Sequence, residues 1–231
     1  MPLVSARETP APTRAALDAS ALFPSNVAVL VSAVDETLEG LLPEELALVA
    51  RAVPKRQHEF ATGRRLARRL LANLGCREEP LLADGDRVPR WPAGIVGSIS
   101  HGHGLCAVAA APRGAIRGLG IDVEEADAVR PELWRRVLRP EEEKWLRAQP
   151  DARQLQLAAV FFSAKEALYK AQFPLTGARL GFHDVLVELD PAGSGFQAQT
   201  PGFARPLAGS FAIAAPWVLA GLAIVAEERT T

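Results

Sequence analysis

Apolar and polar positions along this 231-residue chain follow two different periods, and the switches between them locate most of its elements. Residues 27–34 (VAVLVSAV) are short, apolar and rich in β-branched side chains, which predicts a buried strand. Pro43 suits a first helical position, and Glu44 and Glu45 follow where the N-terminal dipole favours anions, predicting a helix to about Val53. Pro54 opens a longer helix reaching Leu74: Phe60, Ala67, Leu70, Leu71 and Leu74 recur at helical spacing, and Gly75 ends it. Residues 80–94, dense in proline, glycine and charge, read as a loop. Strands are predicted over 95–101, 105–111 and 119–125, and helices over 131–138, 140–148 and 151–172, the last stopped by Pro174. The tail reads as strands within 182–188 and 210–226, joined by Pro/Gly turns. Residues 1–20, rich in Ala and Pro, read as a loose arm.

Read coarsely, the order is β-α-α-β-β followed by β-α-α-β-β. That predicts an α+β protein of two similar halves, 21–114 and 115–231, joined near 112–116. No residue-level repeat accompanies this order.

Composition narrows the class. Apolar residues make up 48% and charged residues 23%, with 26 Lys+Arg against 27 Asp+Glu, an ordinary globular balance that excludes a disordered chain or an extreme polyelectrolyte. Cys76 and Cys106 form no spacing motif, so neither a disulfide framework nor a thiolate metal cage is implied. The first twenty residues lack the apolar core of a signal peptide. The longest uncharged apolar stretch, 211–226, is broken by Pro216 and falls short of the ~20 residues of a membrane span. A cytoplasmic protein without a membrane segment is expected.

Three clusters carry candidate chemistry. Residues 51–77 hold eight basic residues (Arg51, Lys55, Arg56, Arg64, Arg65, Arg68, Arg69, Arg77) and one acid, Glu59. Arg64 and Arg68, and Arg65 and Arg69, lie one helical turn apart, and guanidinium forks suit phosphate; a solvated helix face is the bland alternative. In Gly-Ile-Asp-Val-Glu (120–124), strand parity places Asp122 and Glu124 on one side and turns Ile121 and Val123 to the core. Two carboxylates so close repel unless a cation or proton intervenes, and a hard divalent ion completed by water and phosphate is one solution. In the third cluster, 161–171, Glu166 and Lys170 form an i, i+4 pair, which is either a helix-stabilising contact or a carboxylate and ammonium beside a phosphate. A smaller feature, Gly97 to His103, offers Ser98, Ser100 and His101 as phosphate donors. Metal ligation by the two histidines lacks a third matching ligand, and His103 reads as a turn residue.

Taken together, KRQHEF (55–60), GRRLARRLL (63–71), RWPAGIVGSISH (90–101), GIDVE (120–124) and FSAKEALYKAQFP (162–174) resemble the 4′-phosphopantetheinyl transferases. The likeness is to the two-halved bacterial type that serves siderophore, peptide and polyketide synthases. It runs in order over roughly 54–182, and the pair GIDVE and FSAKE carries most of its specificity. The resemblance implies two pseudo-symmetric α/β halves with the active site between them. It implies transfer of the 4′-phosphopantetheine arm of coenzyme A to a serine of an acyl or peptidyl carrier protein, releasing adenosine 3′,5′-bisphosphate. Carried over by motif, Asp122, Glu124 and Glu166 would bind Mg²⁺. Arg56, Arg64, Ser100 and His101 would hold the coenzyme's phosphates, with Arg87 from the preceding loop, and Lys170 and Lys165 would lie near the pyrophosphate. Glu166 is the candidate acceptor for the serine proton, as base, metal ligand or both. A monomer is expected, since the two-halved type resembles a fused dimer. The rival readings are a metal-dependent phosphohydrolase using the same groups on water, and a nucleic-acid module using the basic helix. Near-neutral total charge and the lack of interleaved aromatics in 51–77 count against the latter.

Overall fold

The computed structural model describes residues 19–190 and 193–226. The expected arm falls almost wholly outside this range. Its last two residues belong instead to a short 3₁₀ turn, Ala19–Leu22, in which Ala19 and Leu22 are buried.

The first sheet has three antiparallel strands in the order β1-β3-β2: β1 (Ala28–Ala33), β2 (Ile95–Gly102) and β3 (Leu105–Pro112). Two helices separate β1 from β2: α1 (Pro43–Val49) and α2 (Pro54–Asn73). The second sheet has five antiparallel strands in the order β4-β8-β7-β6-β5: β4 (Ile116–Glu125), β5 (Leu186–Asp190), β6 (Gly195–Gln199), β7 (Leu207–Ala214) and β8 (Trp217–Val225). Between β4 and β5 lie α3 (Pro131–Val137), α4 (Pro140–Arg147) and α5 (Asp151–Thr176). Four of the five helices start on proline, which loses nothing there because first-turn N–H groups have no helical partner.

Strand parity organises the core. Cys106, Val108 and Ala110 of β3 pack with Ala67, Leu70 and Leu71 of α2. Their neighbours Leu105, Ala107, Ala109 and Ala111 join Leu119, Ile121 and Val123 of β4 and Leu219 of β8 in a second cluster. The opposite face of the large sheet, with Val218, Ala220 and Leu222, packs on Ala164, Ala167, Leu168 and Ala171 of α5. Burial pushes the Cys106 thiol up to about 12, so this free cysteine is an inert core residue.

The expected α+β class is observed, and several boundaries move. The first strand is half-buried rather than buried, since β1 is an edge strand. The first helix stops at Val49, short of the expected Val53. Helix α5 runs through Pro174 to Thr176 and ends at Gly177, whose φ of 67° closes it with an N–H bond to the Phe173 carbonyl. A proline three residues from the end leaves too little helix beyond it to be lost. The second half shows the three expected helices and more strands than the two expected tail segments, including β6, whose short Gly-Phe-Gln-Ala-Gln run carried no clear strand signal. Among the described residues, no helix is long and apolar enough to cross a membrane.

Helix α5 approaches β4 very closely. A Cβ on Gly120 would run into the Ala167 carbonyl, and one on Gly118 into the Ala171 carbonyl. Gly120→Ala is therefore expected to destabilise the fold by about 3 kcal/mol, the upper range for overpacking. Chemical denaturation of the variant checks it, and a loss within 0.5 kcal/mol, roughly the size of a neutral surface change, would show that the helix can retreat freely.

Candidate active site

The same close approach brings the chemical groups together. Asp122 and Glu124 continue the β4 face that bears Gly118 and Gly120, while Ile121 and Val123 are fully buried on the other face. On α5, Glu166 and Lys170 flank Ala167. Lys170 Nζ donates to Asp122 Oδ1 at 2.6 Å, to Ser100 Oγ at 3.0 Å and to the Ile121 carbonyl at 3.3 Å. Ser100 Oγ donates to Asp122 Oδ1 at 2.9 Å, and the Ile121 N–H donates to Ser98 Oγ at 3.1 Å. β2 and β4 are edge strands of different sheets, so their backbones are bridged here by side chains instead of a ladder.

Asp122 is 3% exposed, and its Oδ2 is buried without a hydrogen-bond partner. Burial, with Asp122 adding repulsion, pushes the Glu124 carboxyl up to about 7. Glu166 is also raised by burial, the pull of Lys170 opposing the repulsion of Asp122. Among the described residues no three acidic, histidine or cysteine side chains are gathered closely enough to hold a metal ion unaided. The donors nevertheless suit a hard cation. All are oxygens, one is a buried orphan, and Mg²⁺ usually takes only one or two protein carboxylates, with phosphate and water supplying the rest.

His101 Nε2 accepts from Arg56, and its Nδ1 lies 3.2 Å from Glu59 Oε2. Burial and the nearby Arg56 and Lys170 lower its pKa to about 4, so the ring is neutral and its approach to Glu59 is not an ion pair. His103, expected as a simple turn residue, does more: its Nε2 lies 3.4 Å from Glu124 and its Nδ1 3.0 Å from Glu125.

A cavity of about 450 Å³ opens at the seam between the sheets. Its walls include Trp91, Ser98 and Leu119, with Glu166, Tyr169, Lys170 and Phe173 from α5, and its cations are Arg87, Arg113, Arg117 and Lys170. A second cavity of about 240 Å³ is walled by Leu168, Leu180, Phe182 and Val185. Glu166 and Tyr169 line both. Sequence reasoning missed Arg113 and Arg117. They flank the expected boundary between the halves, a position that signals nothing until the cavity is seen.

Two expectations need correction. Arg64 is only 5% exposed, stacked 4.1 Å over Phe60, with its Nε donating to the Leu81 carbonyl at 2.7 Å; it does not line the cavity. Lys165 spends its ammonium on Glu142 at 2.6 Å and on the Val137 and Phe182 carbonyls, both at 2.9 Å, so it staples α4 to α5 rather than reaching for an anion. Arg65 and Arg68 are likewise engaged internally, Arg65 by Asp35 and the Thr37 and Glu39 carbonyls, Arg68 by Glu45 and the Gly40 carbonyl. Two of the eight basic residues of the run therefore tie residues 35–45 to α2, while Arg65, Arg68, Arg69 and Arg77 together line a separate cavity of about 340 Å³.

Residues 44–111 match the family model described as the 4′-phosphopantetheinyl transferase N-terminal domain, and residues 118–216 match that of the 4′-phosphopantetheinyl transferase superfamily. The chain is 41% identical over 171 residues to 4′-phosphopantetheinyl transferase Svp of Streptomyces mobaraensis, covering 72% of this chain and 68% of that one. It is 39% identical over 156 residues to 4′-phosphopantetheinyl transferase PptT of Mycobacterium tuberculosis, covering 67% and 68%. A crystal structure of a holo-(acyl-carrier-protein) synthase from Bacillus anthracis in complex with CoA (3′,5′-ADP) is 22% identical with a TM-score of 0.37, covering 48% of this chain and 98% of that one.

The raised Glu124 carboxyl makes a signed prediction. In metal-free buffer its folded pKa of about 7 lies above the ordinary 4.5, so its contribution to stability is complete below pH 4.5 and is lost as pH rises through 7. Glu124→Gln should accordingly gain thermal stability relative to wild type across that window. A difference in melting temperature that stays flat from pH 4.5 to 7.5 would contradict the electrostatic account.

Proposed function

Because the chain belongs to the 4′-phosphopantetheinyl transferases, we propose a division of labour in which the two cavities that share Glu166 hold the two halves of coenzyme A on either side of it. Enzymes of this family move the phosphopantetheine arm of the coenzyme to a carrier-protein serine and release adenosine 3′,5′-bisphosphate, and that is the reaction of this chain. The observation that carries the assignment is that Glu166 and Tyr169 line both cavities. The bond to be broken lies within the pyrophosphate, between the departing adenosine 3′,5′-bisphosphate and the phosphorus that stays on the pantetheine arm, whose remaining length is uncharged amide chain. The larger cavity, with Arg87, Arg113, Arg117 and Lys170, suits the nucleotide; the smaller, with Leu180, Phe182 and Val185, suits the arm.

Arg56 and neutral His101, with Ser100 beside them, form the phosphate-facing group at the far end of β2. Lys170, held by Asp122 and Ser100, places a positive charge next to the pyrophosphate and neutralises what would otherwise repel an incoming hydroxyl. Glu166 accepts the serine proton as the new Oγ–phosphorus bond forms. The bridging oxygen leaves with the bond electrons on the nucleotide, and the cations of the larger cavity stabilise that charge. A carboxyl raised by burial is the better base near neutrality, because it holds a transferred proton more firmly than an exposed one. Asp122 and Glu124 are the residues that would hold Mg²⁺, whose chemistry is charge neutralisation on the pyrophosphate. Both walls of the seam come from one chain, which supports a monomer, and two unpaired cysteines accord with a cytoplasmic setting.

Incubating the protein with coenzyme A, Mg²⁺ and an apo acyl or peptidyl carrier should raise the carrier's mass by one phosphopantetheine arm, and chelation of the metal should stop it. Coenzyme breakdown without a mass gain would instead favour the hydrolase. Glu166→Gln should lower kcat by about 10²–10⁴-fold with little change in the KM for coenzyme A; turnover near wild type would exclude Glu166 as the base.

A further inference from the structure

His103 sits at the tip of the β2–β3 hairpin of the first half, yet each of its polar contacts described here reaches the second half. Its ring nitrogens face Glu124 and Glu125 of β4, and its carbonyl accepts from Trp217 Nε1 of β8 at 3.2 Å. His103 and Gly104, with φ of 51° and 78°, are the two central residues of the hairpin turn, which requires positive φ at both. Glycine meets that requirement at no cost, yet the first position holds a histidine whose side chain lies between two carboxylates, 33% exposed.

We propose that His103 is a positioning residue for the divalent-cation site: reaching across the seam to Oε2 of Glu124, it holds that carboxylate beside Asp122 on the same face of β4, with its other oxygen turned to the cation. The inference rests on the reading that Asp122 and Glu124 hold the cation. Glu124 is a flexible side chain on the outgoing end of an edge strand, with Val123 and Glu125 turned the other way. Of its partners, His103 comes from the opposite half, so cation binding is coupled to the closure of one half on the other. Groups that orient a metal ligand from behind are worth about 10–100-fold in metal affinity.

The test is Mn²⁺ binding, followed by the loss of the free-ion paramagnetic resonance signal as Mn²⁺ is titrated into the protein–coenzyme A complex without carrier, so that no turnover contributes. His103→Gly removes the ring at a backbone conformation glycine adopts freely, which protects the fold. It should raise the Mn²⁺ dissociation constant about 10–100-fold while leaving coenzyme A affinity in chelator within threefold. His103→Gln, which restores an N–H donor at similar reach, should recover most of the loss. Mn²⁺ affinity within twofold of wild type in His103→Gly, or equal losses in the Gly and Gln variants, would overturn the proposal. Asp122→Ala separates the two levels. If it abolishes Mn²⁺ binding while His103→Gly does not weaken it, only the role of His103 falls. If wild type itself binds no Mn²⁺, the cation site falls and His103 with it.

Discussion

The approach of α5 to β4 is the constraint from which the site follows. Two glycines on one strand face, Gly118 and Gly120, let the carbonyls of Ala167 and Ala171 occupy the space that side chains would fill. With the helix that close, Lys170 reaches Asp122, the Ile121 carbonyl and Ser100 at once. One ammonium thereby ties α5, β4 and β2, and so joins the two sheets at the point where their edges meet. A helix held an ångström or two farther out would leave Asp122, 3% exposed, without the Lys170 partner that compensates its burial.

The node is deliberately incomplete on the acidic side. Lys170 answers one oxygen of Asp122, while the other is an orphan, and Glu124 and Glu166 are held above the ordinary carboxylate range by burial and by Asp122. On the opposite wall His101 is kept neutral by burial and by Arg56. The result is a seam with crowded acids on one side, two of them raised by burial, and cations and neutral donors on the other. Such an arrangement gains most when a divalent cation and a polyanion arrive together, because each relieves the cost imposed by the groups that await the other.

Charge in this protein divides into two uses that look alike in one dimension. Arg64, Arg65, Arg68 and Lys165 are spent on carbonyls and carboxylates of the fold: Leu81 for Arg64, residues 35–45 for Arg65 and Arg68, and Glu142 for Lys165. Arg56, Arg87, Arg113, Arg117 and Lys170 face His101 or the larger cavity. The first set gives α2 and α4 their fixed places; in the second, Arg87, Arg113 and Arg117 give the larger cavity its positive field, while Lys170 both lines it and pairs with Asp122. Glu45 illustrates how tightly the first set is built: fully buried, it pairs with Arg68 and also accepts the backbone N–H of Leu42 and of Leu81.

What the chain alone determined is what depends on near neighbours. Helical periodicity placed α2, proline marked the starts of α1 and α2, and strand parity set Asp122 and Glu124 on the face opposite Ile121 and Val123. The spacing of Glu166 and Lys170 put both on one side of a helix, and the motif resemblance supplied the family. Tertiary structure alone decided which charged groups are free. Arg64 meets Leu81, Lys165 meets Glu142, and His103 meets Glu124 across separations that no local pattern encodes. It also decided that the cavities share Glu166, and that Arg113 and Arg117, unremarkable beside the 112–116 junction, line the larger one. The reason is physical: periodicity is written in successive residues, whereas the satisfaction of a buried charge is settled by whichever distant group the packed chain brings within three ångströms.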